Sequence, residues 1–383
     1  MIDSNILLIK GVEEVIVKDH LERALKAGKK LRVKLGIDPT SPKLHLGHLV
    51  PLLKLKQFQD AGHKIILIIG DFTAMIGDPS GRSETRKPLT ESEIKKNFKT
   101  YLKQIDKVLN VKKIAVHRNS EWYKKEGLRL MLDLTAKVTV QQVLKRDDFD
   151  KRLKAGNDLS VLEELYPILQ GYDSVAVRAD VEIGDTAQKF NLLMGRRLQR
   201  IYGKAEQDVM TLSALIGTDG MRKMSKSYGN FIALDEKPED LFGRVMAIPD
   251  GLLQSYFELL TDINYSESML PYDQKRLLAG ELVKMLHGEK YAEKAKENFQ
   301  KVFSKKEIPE DMPTIGVEED EMNIIHLLLL AGVPSKTEAR RLITQKAVDV
   351  GGNTIENPDE IVSTKEPVVL KVGKKRFFRI VRL

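Results

Sequence analysis

Near the start of the chain, short and almost continuous apolar runs alternate with longer stretches in which apolar positions recur at helical spacing. The runs at 31–37 (LRVKLGI) and 64–70 (KIILIIG) have the length and composition of strands covered on both faces. Between them, 46–61 has the pattern of a helix and is followed by Gly62, a favoured residue at helix ends. A strand, a helix and a second strand in this order predict a right-handed βαβ unit.

Later segments extend this alternation of strands and helices. The pattern predicts strands at 114–117 and 175–183, a helix at 186–202 after the second of them, and an amphipathic helix at 12–28. We therefore expect the α/β fold class, with a Rossmann-like, doubly wound parallel sheet that binds its ligands at the carboxyl ends of the strands.

Four parts of the chain differ in pattern and charge. The predicted sheet domain occupies 1–228 and carries a charged, mostly helical insertion at about 89–169. A helical domain at 229–304, rich in lysine and glutamate, precedes an acidic, proline-containing linker at 305–320. A small α+β module at 321–383 completes the predicted organisation.

Composition narrows the class of protein further. The 383 residues are 42% hydrophobic and 31% charged, as in ordinary globular proteins. We expect neither a signal peptide nor a membrane span, because no apolar segment reaches the necessary length. The sequence contains no cysteine, which excludes disulfides and thiolate metal sites and fits a cytoplasmic location.

The net charge favours an anionic partner. It is +8, with a pI near 9.2, and the 321–383 module holds 11 basic against 7 acidic residues, half of the excess. A bound nucleic acid accounts for this distribution, and so does a basic surface with no specific role. Charge alone leaves both interpretations open.

The first candidate for chemistry is the segment 38–48 (DPTSPKLHLGH), which joins the first strand to its helix. His45 and His48 share one face at a helix start, where free backbone N–H groups and the helix dipole attract anions. Their imidazole N–H groups suit phosphate oxygens, and Gly47 leaves room for a flat ring such as adenine. The alternatives are a surface pair or part of a zinc site, for which the segment lacks further ligands.

A second candidate is the loop at 223–227 (KMSKS), which has glycines nearby on both sides. Lys223 and Lys226 are suited to holding the leaving half of a triphosphate, although the segment alone is also compatible with an ordinary basic loop. Combined with HLGH at 45–48, it resembles the paired signatures of class I aminoacyl-tRNA synthetases. The sequence has neither a P-loop nor a Gly-x-Gly-x-x-Gly turn after its first strand, which argues against two other classes of nucleotide-binding protein.

Three further segments resemble the bacterial tyrosyl-tRNA synthetase family. They are 34–40 (KLGIDPT), 70–81 (GDFTAMIGDPSG) and 166–173 (YPILQGYD). The resemblance implies that Tyr166 and Gln170 hold the ammonium group of tyrosine and that Asp173 receives its phenolic hydroxyl. The spacing i, i+4, i+7 puts the three side chains on one face of a helix, for which the alternative interpretation is a polar surface.

The same resemblance implies a set of site residues for a ligase that activates tyrosine with ATP and loads it onto tRNA(Tyr). The expected catalytic residues are His45, His48, Lys223 and Lys226. The expected ATP contacts are Asp38, Thr40, Gly47, His48, Gly184, Asp185, Gln188 and Lys226. The expected tyrosine contacts are Lys34, Gly36, Asp78, Tyr166, Gln170 and Asp173. No resident metal is expected, and Mg²⁺ is expected to arrive with ATP.

The resemblance extends to the end of the chain. The segment 331–343 (AGVPSKTEARRLI) resembles the S4-type RNA-binding module of bacterial tyrosyl enzymes, and its alternative interpretation is a solvated basic helix. The candidate contacts to tRNA phosphates are Lys336, Arg340, Arg341, Lys374, Lys375 and Arg376. The resemblance also implies a homodimer, formed through the helical insertion.

Two positions depart from the family pattern. Lys34 stands where another bacterial subgroup has a tyrosine that faces the substrate hydroxyl. Ala187 stands where an aspartate that holds the ATP ribose is expected, and Asp185 is a candidate substitute for it.

Three alternative functions remain open. A tryptophanyl enzyme shares the architecture, but not the S4-like module or the Tyr-x3-Gln-x2-Asp element. A catalytically decayed, synthetase-like RNA-binding protein is favoured by Ala187 and disfavoured by the intact HLGH and KMSKS segments. A nucleotidylyltransferase shares His-x-Gly-His but explains neither KMSKS nor the terminal module.

Overall fold

The computed structural model describes residues 4–80, 89–303, 312–373 and 376–382. The chain divides into two compact units, Met1–Lys296 and Glu297–Leu383. No helix among the described residues is long and apolar enough to cross a membrane.

Strands and helices alternate along the first unit. Its described strands are β1 Val12–Ile16, β2 Arg32–Ile37, β3 Lys64–Ile69, β4 Ala115–Arg118, β5 Val181–Asp185 and β6 Asp208–Leu212. The described helices, of which the last runs past the end of the unit, are α1 Ser4–Ile9, α2 Lys18–Lys26, α3 Leu46–Asp60, α4 Glu91–Ile105, α5 Ser120–Thr135, α6 Val140–Val143, α7 Asp147–Lys154, α8 Val161–Val177, α9 Lys189–Ile201, α10 Pro238–Met246, α11 Leu253–Leu260, α12 Pro271–His287 and α13 Glu289–Phe303.

The six strands form one sheet in the order β1-β6-β5-β2-β3-β4. β2 pairs in parallel with β3 and β5, β3 with β4, and β5 with β6, whereas β1 pairs with β6 in antiparallel orientation at one edge. The chain therefore leaves β2 through β3 and β4 and returns to fill the other side with β5 and β6. The doubly wound sheet predicted from the sequence is confirmed, and its switch point lies between β2 and β5.

Burial explains why the central elements form where they do. In β3 the residues Ile65 to Ile69 are all buried, which is the pattern of a strand covered on both faces. α3 buries Leu49 and Phe58 and ends before Gly62, whose φ of 84° is readily adopted only by glycine. α3 begins after the carboxyl end of β2, with His45 as its N-cap residue.

Much of the segment after β3 belongs to the sheet architecture. β4 lies inside the range predicted as a helical insertion, but it pairs with β3 and makes α4 the crossover helix of a second βαβ unit. α4 begins at a capping box formed by Thr90 and Glu93. Helices α5 to α7 then follow β4, and α8 leads back to β5.

The helix predicted at 12–28 is wrong for its first half. Residues Val12–Ile16 form β1, and only α2 is helical. Three of the five residues of β1 are β-branched, which favours a strand. Val17, in the left-handed conformation with a φ of 64°, then turns the chain into α2.

The strand predicted at 175–183 starts too early. α8 continues to Val177 and ends at Arg178, whose φ of 53° is the left-handed conformation that terminates many helices. A short 3₁₀ turn follows β5, so α9 begins at Lys189, later than predicted. By contrast, β4 confirms the strand predicted at 114–117 to within one residue.

The second unit has its own sheets and hydrophobic core. Its described elements are β7 Thr314–Val317, β8 Glu321–Asn323, α14 Ile324–Leu330, α15 Lys336–Thr344, β9 Val348–Val350, β10 Asn353–Thr354, β11 Ile361–Ser363, β12 Val368–Val372 and β13 Arg376–Arg382. One sheet has the order β10-β9-β12-β13-β7, and β8 pairs separately with β11. β7 lies in the range predicted as linker and pairs in parallel with β13, whereas 305–311 lie outside the described residues. Leu327, Ile343 and Leu370 bring α14, α15 and β12 together in the core.

Candidate active site

A cavity of about 760 Å³ opens at the carboxyl ends of the central strands. It lies at the switch point between β2 and β5, where doubly wound sheets bind ligands. The predicted site residues that line it are Gly36, Asp38, Thr40, His45, Gly47, His48, Asp78, Tyr166, Gln170, Asp173, Gly184, Asp185, Gln188, Lys223 and Lys226. Motifs that are far apart in the sequence thus meet in one space.

His45 and His48 are oriented by backbone groups at the start of α3. The Nδ1 atom of His45 accepts a hydrogen bond from the backbone N–H of Gly47 at 3.2 Å. The Nδ1 atom of His48 accepts one from the backbone N–H of His45, also at 3.2 Å. Because Nδ1 is the acceptor in both rings, a neutral imidazole carries its proton on Nε2. Each histidine therefore has an Nε2–H donor for an anion at the amino end of a helix.

The electrostatic surroundings keep both rings neutral. Burial, together with Lys226 and Lys223, lowers the pKa of His45 to about 3. Burial and the neighbouring His45 lower the pKa of His48 well below its usual value. At neutral pH the two histidines are hydrogen-bond donors without a net charge.

The two lysines of the KMSKS segment contact opposite walls of the cavity. Lys223 forms an ion pair with Asp185 at the end of β5. Lys226 Nζ donates to Ser41 Oγ at 2.7 Å and to the backbone carbonyl of Lys43 at 2.8 Å. The loop therefore spans the cavity from β5 to the turn after β2, and its cations are close enough to lower the pKa values of both histidines.

A buried asparagine that sequence reasoning missed organises this loop. Asn230 accepts a hydrogen bond from the backbone N–H of Ser225 at 2.8 Å, and its Nδ2 donates to Asp219 at 3.0 Å. Gly217 packs so closely on this amide that a Cβ atom built there would lie 2.2 Å from Nδ2. Gly217 is thus required by close packing, and the only indication of Asn230 in the sequence is its position just after KMSKS.

Asp38 is tied to two hydroxyl groups inside the cavity. Its Oδ2 accepts the Tyr166 hydroxyl at 2.9 Å, and its Oδ1 accepts the Thr73 hydroxyl at 2.9 Å. Gly70 lies against this carboxylate, since a Cβ atom there would be 1.9 Å from Oδ1. Burial and the charge of Asp38 raise the pKa of Tyr166 well above its usual value, so its hydroxyl stays protonated. The strand-end aspartate is thus joined to the first residue of the Tyr-x3-Gln-x2-Asp element.

A chain of amides connects Gln170, which is predicted to hold the ammonium group, with Gln188 and Asp78. Asn191 Nδ2 donates to Gln170 Oε1 at 2.9 Å and to Gln188 Oε1 at 3.2 Å, and the Gln188 amide donates to Asp78. Behind them, the buried guanidinium group of Arg146 donates to Asn191 Oδ1 at 3.1 Å. Sequence reasoning missed Asn191 and Arg146, because neither belongs to a segment that carries the family resemblance.

Asp173 is held by three further side chains that sequence reasoning missed. Trp122 Nε1–H donates to its Oδ1 at 3.0 Å, and Asn119 Nδ2–H donates to its Oδ2 at 3.3 Å. The Tyr123 hydroxyl lies 3.1 Å from Oδ1 and 2.6 Å from the carbonyl oxygen of Leu169. Asn119 directly follows β4, and its position at the carboxyl end of a strand could have identified it as a candidate site residue.

Opposing effects set the pKa of the Asp173 carboxyl group. Burial raises its pKa to about 7, against the opposing effects of Lys34, Asn119, Trp122 and Tyr123. As a carboxylate, the side chain is an acceptor for a hydroxyl group in the cavity. As an acid, it carries a proton of its own to donate.

Lys34 requires a correction to the predicted tyrosine contacts. Its side chain does not line the cavity, is fully buried, and pairs with Glu182 at an Nζ–Oε1 distance of 2.7 Å. It shares a face of β2 with Gly36, which lines the cavity, but it lies deeper, under α8. A direct contact with an amino acid in the cavity is therefore not supported.

The departure at Ala187 leaves a small apolar side chain on the cavity wall. Asp185 also lines the cavity; its Oδ1 accepts from the backbone N–H of Ala187 at 2.9 Å, and its Oδ2 pairs with Lys223. A carboxylate is thus present beside Ala187, although it starts from a different residue.

The other carboxylates in the cavity are also engaged with side chains. Asp38 accepts hydroxyl groups and Asp78 accepts an amide. Among the residues that the structure describes, no group of three or more His, Asp or Glu side chains is arranged to hold a metal ion. The imidazole and ammonium donors of the cavity suit an anionic ligand.

In the second unit, the predicted RNA contacts lie on and beside α15. The exposed members are Lys336, Arg340, Arg341 and Arg376. Arg341 pairs with Glu338 at 2.6 Å and lowers the pKa of that carboxyl group, with a smaller effect from Arg376. Lys374 and Lys375 lie outside the described residues. The described cations form a basic surface that α15 shares with the start of β13.

Comparison with known proteins gives a consistent assignment along the chain. A family described as tRNA synthetases class I (W and Y) matches residues 26–304, and one described as Tyrosine--tRNA ligase SYY-like C-terminal domain matches 305–380. The Tyrosine--tRNA ligase of Aquifex aeolicus is 47% identical, with 98% of this chain and 97% of that protein covered. That of Thermotoga maritima is also 47% identical, with 98% and 96% covered.

Solved structures share the fold of about three quarters of the chain. A C-terminally truncated mitochondrial tyrosyl-tRNA synthetase from Aspergillus nidulans has a TM-score of 0.66 at 22% identity, over 77% of this chain and 92% of that chain. A tyrosyl-tRNA synthetase from Archaeoglobus fulgidus, complexed with L-tyrosine, has a TM-score of 0.62 at 22% identity, over 76% and 98%. Since the family matches and the full-length relatives agree, the chain belongs to the tyrosine–tRNA ligase family of class I tRNA synthetases.

Proposed function

We propose that this protein is a tyrosine–tRNA ligase, which activates tyrosine with ATP and transfers it to the 3′ end of tRNA(Tyr). The observation that carries the proposal is the meeting, in one cavity, of imidazole and ammonium donors suited to phosphate with a buried carboxyl group suited to a phenol. Membership of the family supports the same reaction.

In the first step, the tyrosine carboxylate attacks the α-phosphorus of ATP. A bond forms between that oxygen and phosphorus, and the bond to the pyrophosphate oxygen breaks. The nucleophile is ionised at neutral pH, so no general base is required. Catalysis then depends on positioning and on stabilising charge on the phosphate oxygens, which we assign to His45 and His48. Lys223 and Lys226 hold the departing pyrophosphate.

Binding of ATP requires the KMSKS lysines to change partners. Lys223 pairs with Asp185, and Lys226 with the turn after β2. A triphosphate carries more negative charge than these partners and therefore competes with them for both ammonium groups. Once Lys223 has moved, the Asp185 carboxylate is available to a ribose hydroxyl and takes the role of the aspartate that Ala187 replaces.

Asp185→Asn is expected to raise the KM for ATP about tenfold. A hydrogen bond between a carboxylate and a ribose hydroxyl is worth about 1.5–3 kcal/mol. Part of this loss is offset, because ATP no longer has to displace Lys223 from Asp185. The KM for tyrosine should stay constant. Pyrophosphate exchange with ATP, 2′-deoxy-ATP and 3′-deoxy-ATP measures the effect. The wild type should use one of the two deoxy analogues less efficiently than ATP. The variant should use that analogue and ATP with similar efficiency. An equal penalty for that analogue in both proteins would contradict the ribose assignment.

Gly47→Ala is expected to lower kcat/KM for ATP by about tenfold to a hundredfold. A Cβ atom at this position would lie 3.0 Å from two atoms of the His45 ring, so the imidazole must move and its Nε2–H donor is misdirected. Exchange kinetics at varied ATP measure this effect. Gly243→Ala is the matched control, since the added Cβ atom meets nothing within 4 Å there. Equal kinetics for the two variants would contradict a close approach at Gly47.

Magnesium is proposed to arrive bound to the phosphates of ATP. The donors at the phosphate end of the cavity are neutral or cationic, which suits phosphate oxygens that carry a metal ion of their own. The ion supplies charge neutralisation on the leaving pyrophosphate. The protein residues that approach the same phosphates are His45, His48, Lys223 and Lys226.

The product of the first step is tyrosyl-adenylate. In the second step, a terminal ribose hydroxyl of tRNA(Tyr) attacks the carbonyl carbon of this adenylate. An ester bond to tyrosine forms, and AMP leaves. The proposed contacts to tRNA phosphates are Lys336, Arg340, Arg341, Lys374, Lys375 and Arg376. Phosphate contacts of this kind release counterions, so tRNA binding should weaken steeply as salt rises.

We also propose a homodimer, formed through the helices that follow β4. The exposed apolar side chains there are Leu128, Leu132, Val140, Leu153, Val161 and Leu162. Exposed apolar groups of this kind mark association surfaces, and a second copy would cover them. The tRNA substrate makes the cytoplasm the proposed location.

Charging of tRNA tests the proposed function as a whole. With ATP and Mg²⁺, the full chain should attach tyrosine to one species in bulk bacterial tRNA, detected as an alkali-labile ester. Attachment of tryptophan instead would assign the sister enzyme, which the matching family also includes. Binding of tRNA without attachment of any amino acid would favour the decayed-synthetase alternative.

A further inference from the structure

A buried ion pair lies beneath the amino-acid end of the cavity. Lys34 and Glu182 lie on the neighbouring strands β2 and β5, both fully buried, with Nζ and Oε1 2.7 Å apart. The ammonium group also donates to Ser174 Oγ at 2.7 Å and to the carbonyl oxygen of Gln170 at 3.2 Å. All three N–H bonds of Lys34 thus have partners.

Both carboxylate oxygens of Glu182 also have hydrogen-bond partners. Its Oε2 accepts the Ser174 hydroxyl at 2.7 Å and the side-chain amide of Gln207. The backbone N–H of Gln207 in turn donates to Gln199 Oε1 at 2.6 Å. Removing two charges from water costs about as much free energy as their attraction returns, so stability gives little reason for this pair.

The position of the ammonium group along α8 connects it with Asp173. Its partners Gln170 and Ser174 are three residues before and one residue after Asp173, so the ammonium group contacts the same turn of α8 that carries Asp173. Asp173 lines the cavity, whereas Lys34 does not. The positive charge therefore acts on Asp173 from a side that a ligand does not occupy.

We propose that Lys34 is a positioning and specificity-determining residue, whose fixed positive charge behind α8 keeps Asp173 in the carboxylate form that accepts the phenolic hydroxyl of tyrosine. This inference rests on the proposed function of the cavity. It gives Lys34 a role that acts through Asp173, in place of the direct contact expected from the sequence.

Among the groups that act on Asp173, Lys34 contributes a positive charge. Asn119, Trp122 and Tyr123 hydrogen-bond to Asp173 and are uncharged, and Glu182 lies behind Lys34. The acidic groups Asp38 and Asp78 act, like Asp173, on Tyr166 of the same helix. Burial raises the pKa of Asp173 to about 7, and Lys34 is the largest influence that opposes it. Without the ammonium group, the pKa rises further, and Asp173 stays protonated at a pH where the wild-type group is ionised.

The protonation state of Asp173 affects selectivity. A carboxylate that faces phenylalanine is a buried charge without its hydroxyl partner, which carries a large penalty. The protonated acid can donate its hydrogen to the oxygen of Tyr123, 3.1 Å away, and so tolerates phenylalanine better. Loss of the Lys34 charge should therefore shift the pH dependence and reduce discrimination together.

The test compares the wild-type chain with a variant that lacks both buried charges. Lys34→Met combined with Glu182→Gln preserves volume and avoids the unpaired carboxylate that Lys34→Met alone would leave. Glu182→Gln alone keeps the ammonium group and is the matched control. For each protein, kcat/KM for tyrosine and for phenylalanine is measured by ATP–pyrophosphate exchange between about pH 5.5 and 8.5. Titration of ATP and pyrophosphate is common to all three proteins and cancels in the comparison.

In the double variant, we expect the acid limb of the tyrosine profile to move upward by about one pH unit and the tyrosine-to-phenylalanine ratio to fall about tenfold. In the control, the limb should not move upward. An unchanged limb and ratio in the double variant would overturn the role of Lys34. Failure of the wild type to exchange with tyrosine would overturn the proposed function instead. If the double variant does not fold, Lys34→Gln with Glu182→Gln carries the same expectations and keeps a polar contact to Ser174.

Discussion

Asp173→Asn is expected to lower kcat/KM for tyrosine by about thirtyfold to a hundredfold and to change kcat/KM for phenylalanine much less. Trp122 and Asn119 each donate to a different oxygen of the wild-type carboxyl group. Either orientation of an asparagine amide therefore points its NH₂ group at one of these donors. A buried donor left unpaired in this way costs about 1–3 kcal/mol, and the phenolic hydroxyl also loses a charged acceptor.

Exchange assays with both amino acids measure this change in selectivity. Tyr172→Phe is the matched control, because it removes a hydroxyl from the residue of α8 that precedes Asp173 and does not line the cavity. The control should keep the wild-type ratio of tyrosine to phenylalanine. An Asp173→Asn variant that also kept this ratio would show that another group accepts the phenol.

Loss of either imidazole donor is expected to lower kcat for tyrosine activation by about a hundredfold to a thousandfold, the usual effect of removing a donor aimed at developing negative charge. His45→Asn is the most specific variant for this test, because asparagine is a favoured N-cap residue and can still accept a hydrogen bond from the Gly47 N–H. The start of α3 is thus preserved while the Nε2–H donor is lost. The KM for tyrosine should change little.

His45→Gln provides the matched control for this prediction. Its side-chain amide nitrogen reaches the region of the lost Nε2 atom and should restore part of kcat. Rapid-quench measurement of adenylate formation separates this step from product release. Equal rates for the asparagine, glutamine and wild-type proteins would remove His45 from the catalytic assignment.

The acid limb of the pH profile should not come from the histidines. Burial, together with Lys226 and Lys223, holds the pKa of His45 at about 3, so the ring is neutral throughout an assay between about pH 5.5 and 8.5. His45→Asn should therefore lower the rate at every pH and leave the limb in place. Disappearance of the limb in this variant would assign it to a charged imidazole.

The outline of the cavity could be predicted because its residues fall in short segments that carry a family resemblance. His45 follows the first predicted strand, so the order of elements placed it at a carboxyl end of the sheet, whereas the family resemblance alone associated Lys226 with it. The buried run of β3 and the βαβ pattern were readable because a strand covered on both faces needs an almost continuous apolar sequence.

Residues that act from behind the cavity could not be predicted in the same way. Trp122 and Arg146 belong to no recognised segment, and their partners depend on how α5 and α7 pack in three dimensions. Alternation along β2 gives the face on which Lys34 lies but not its depth, so a buried ion pair and a substrate contact look alike in the sequence. β1 was misread because its pairing with the distant β6 decides its conformation.

ATP–pyrophosphate exchange in the absence of tRNA, with tyrosine, tryptophan or phenylalanine as the amino acid, tests the central claim most directly. The cavity is expected to support exchange with tyrosine and to be at least about a hundredfold less efficient with phenylalanine and tryptophan, because neither offers a hydroxyl to Asp173. Exchange with tryptophan in place of tyrosine, or no exchange with any of the three, would contradict the assignment of this cavity to tyrosine activation.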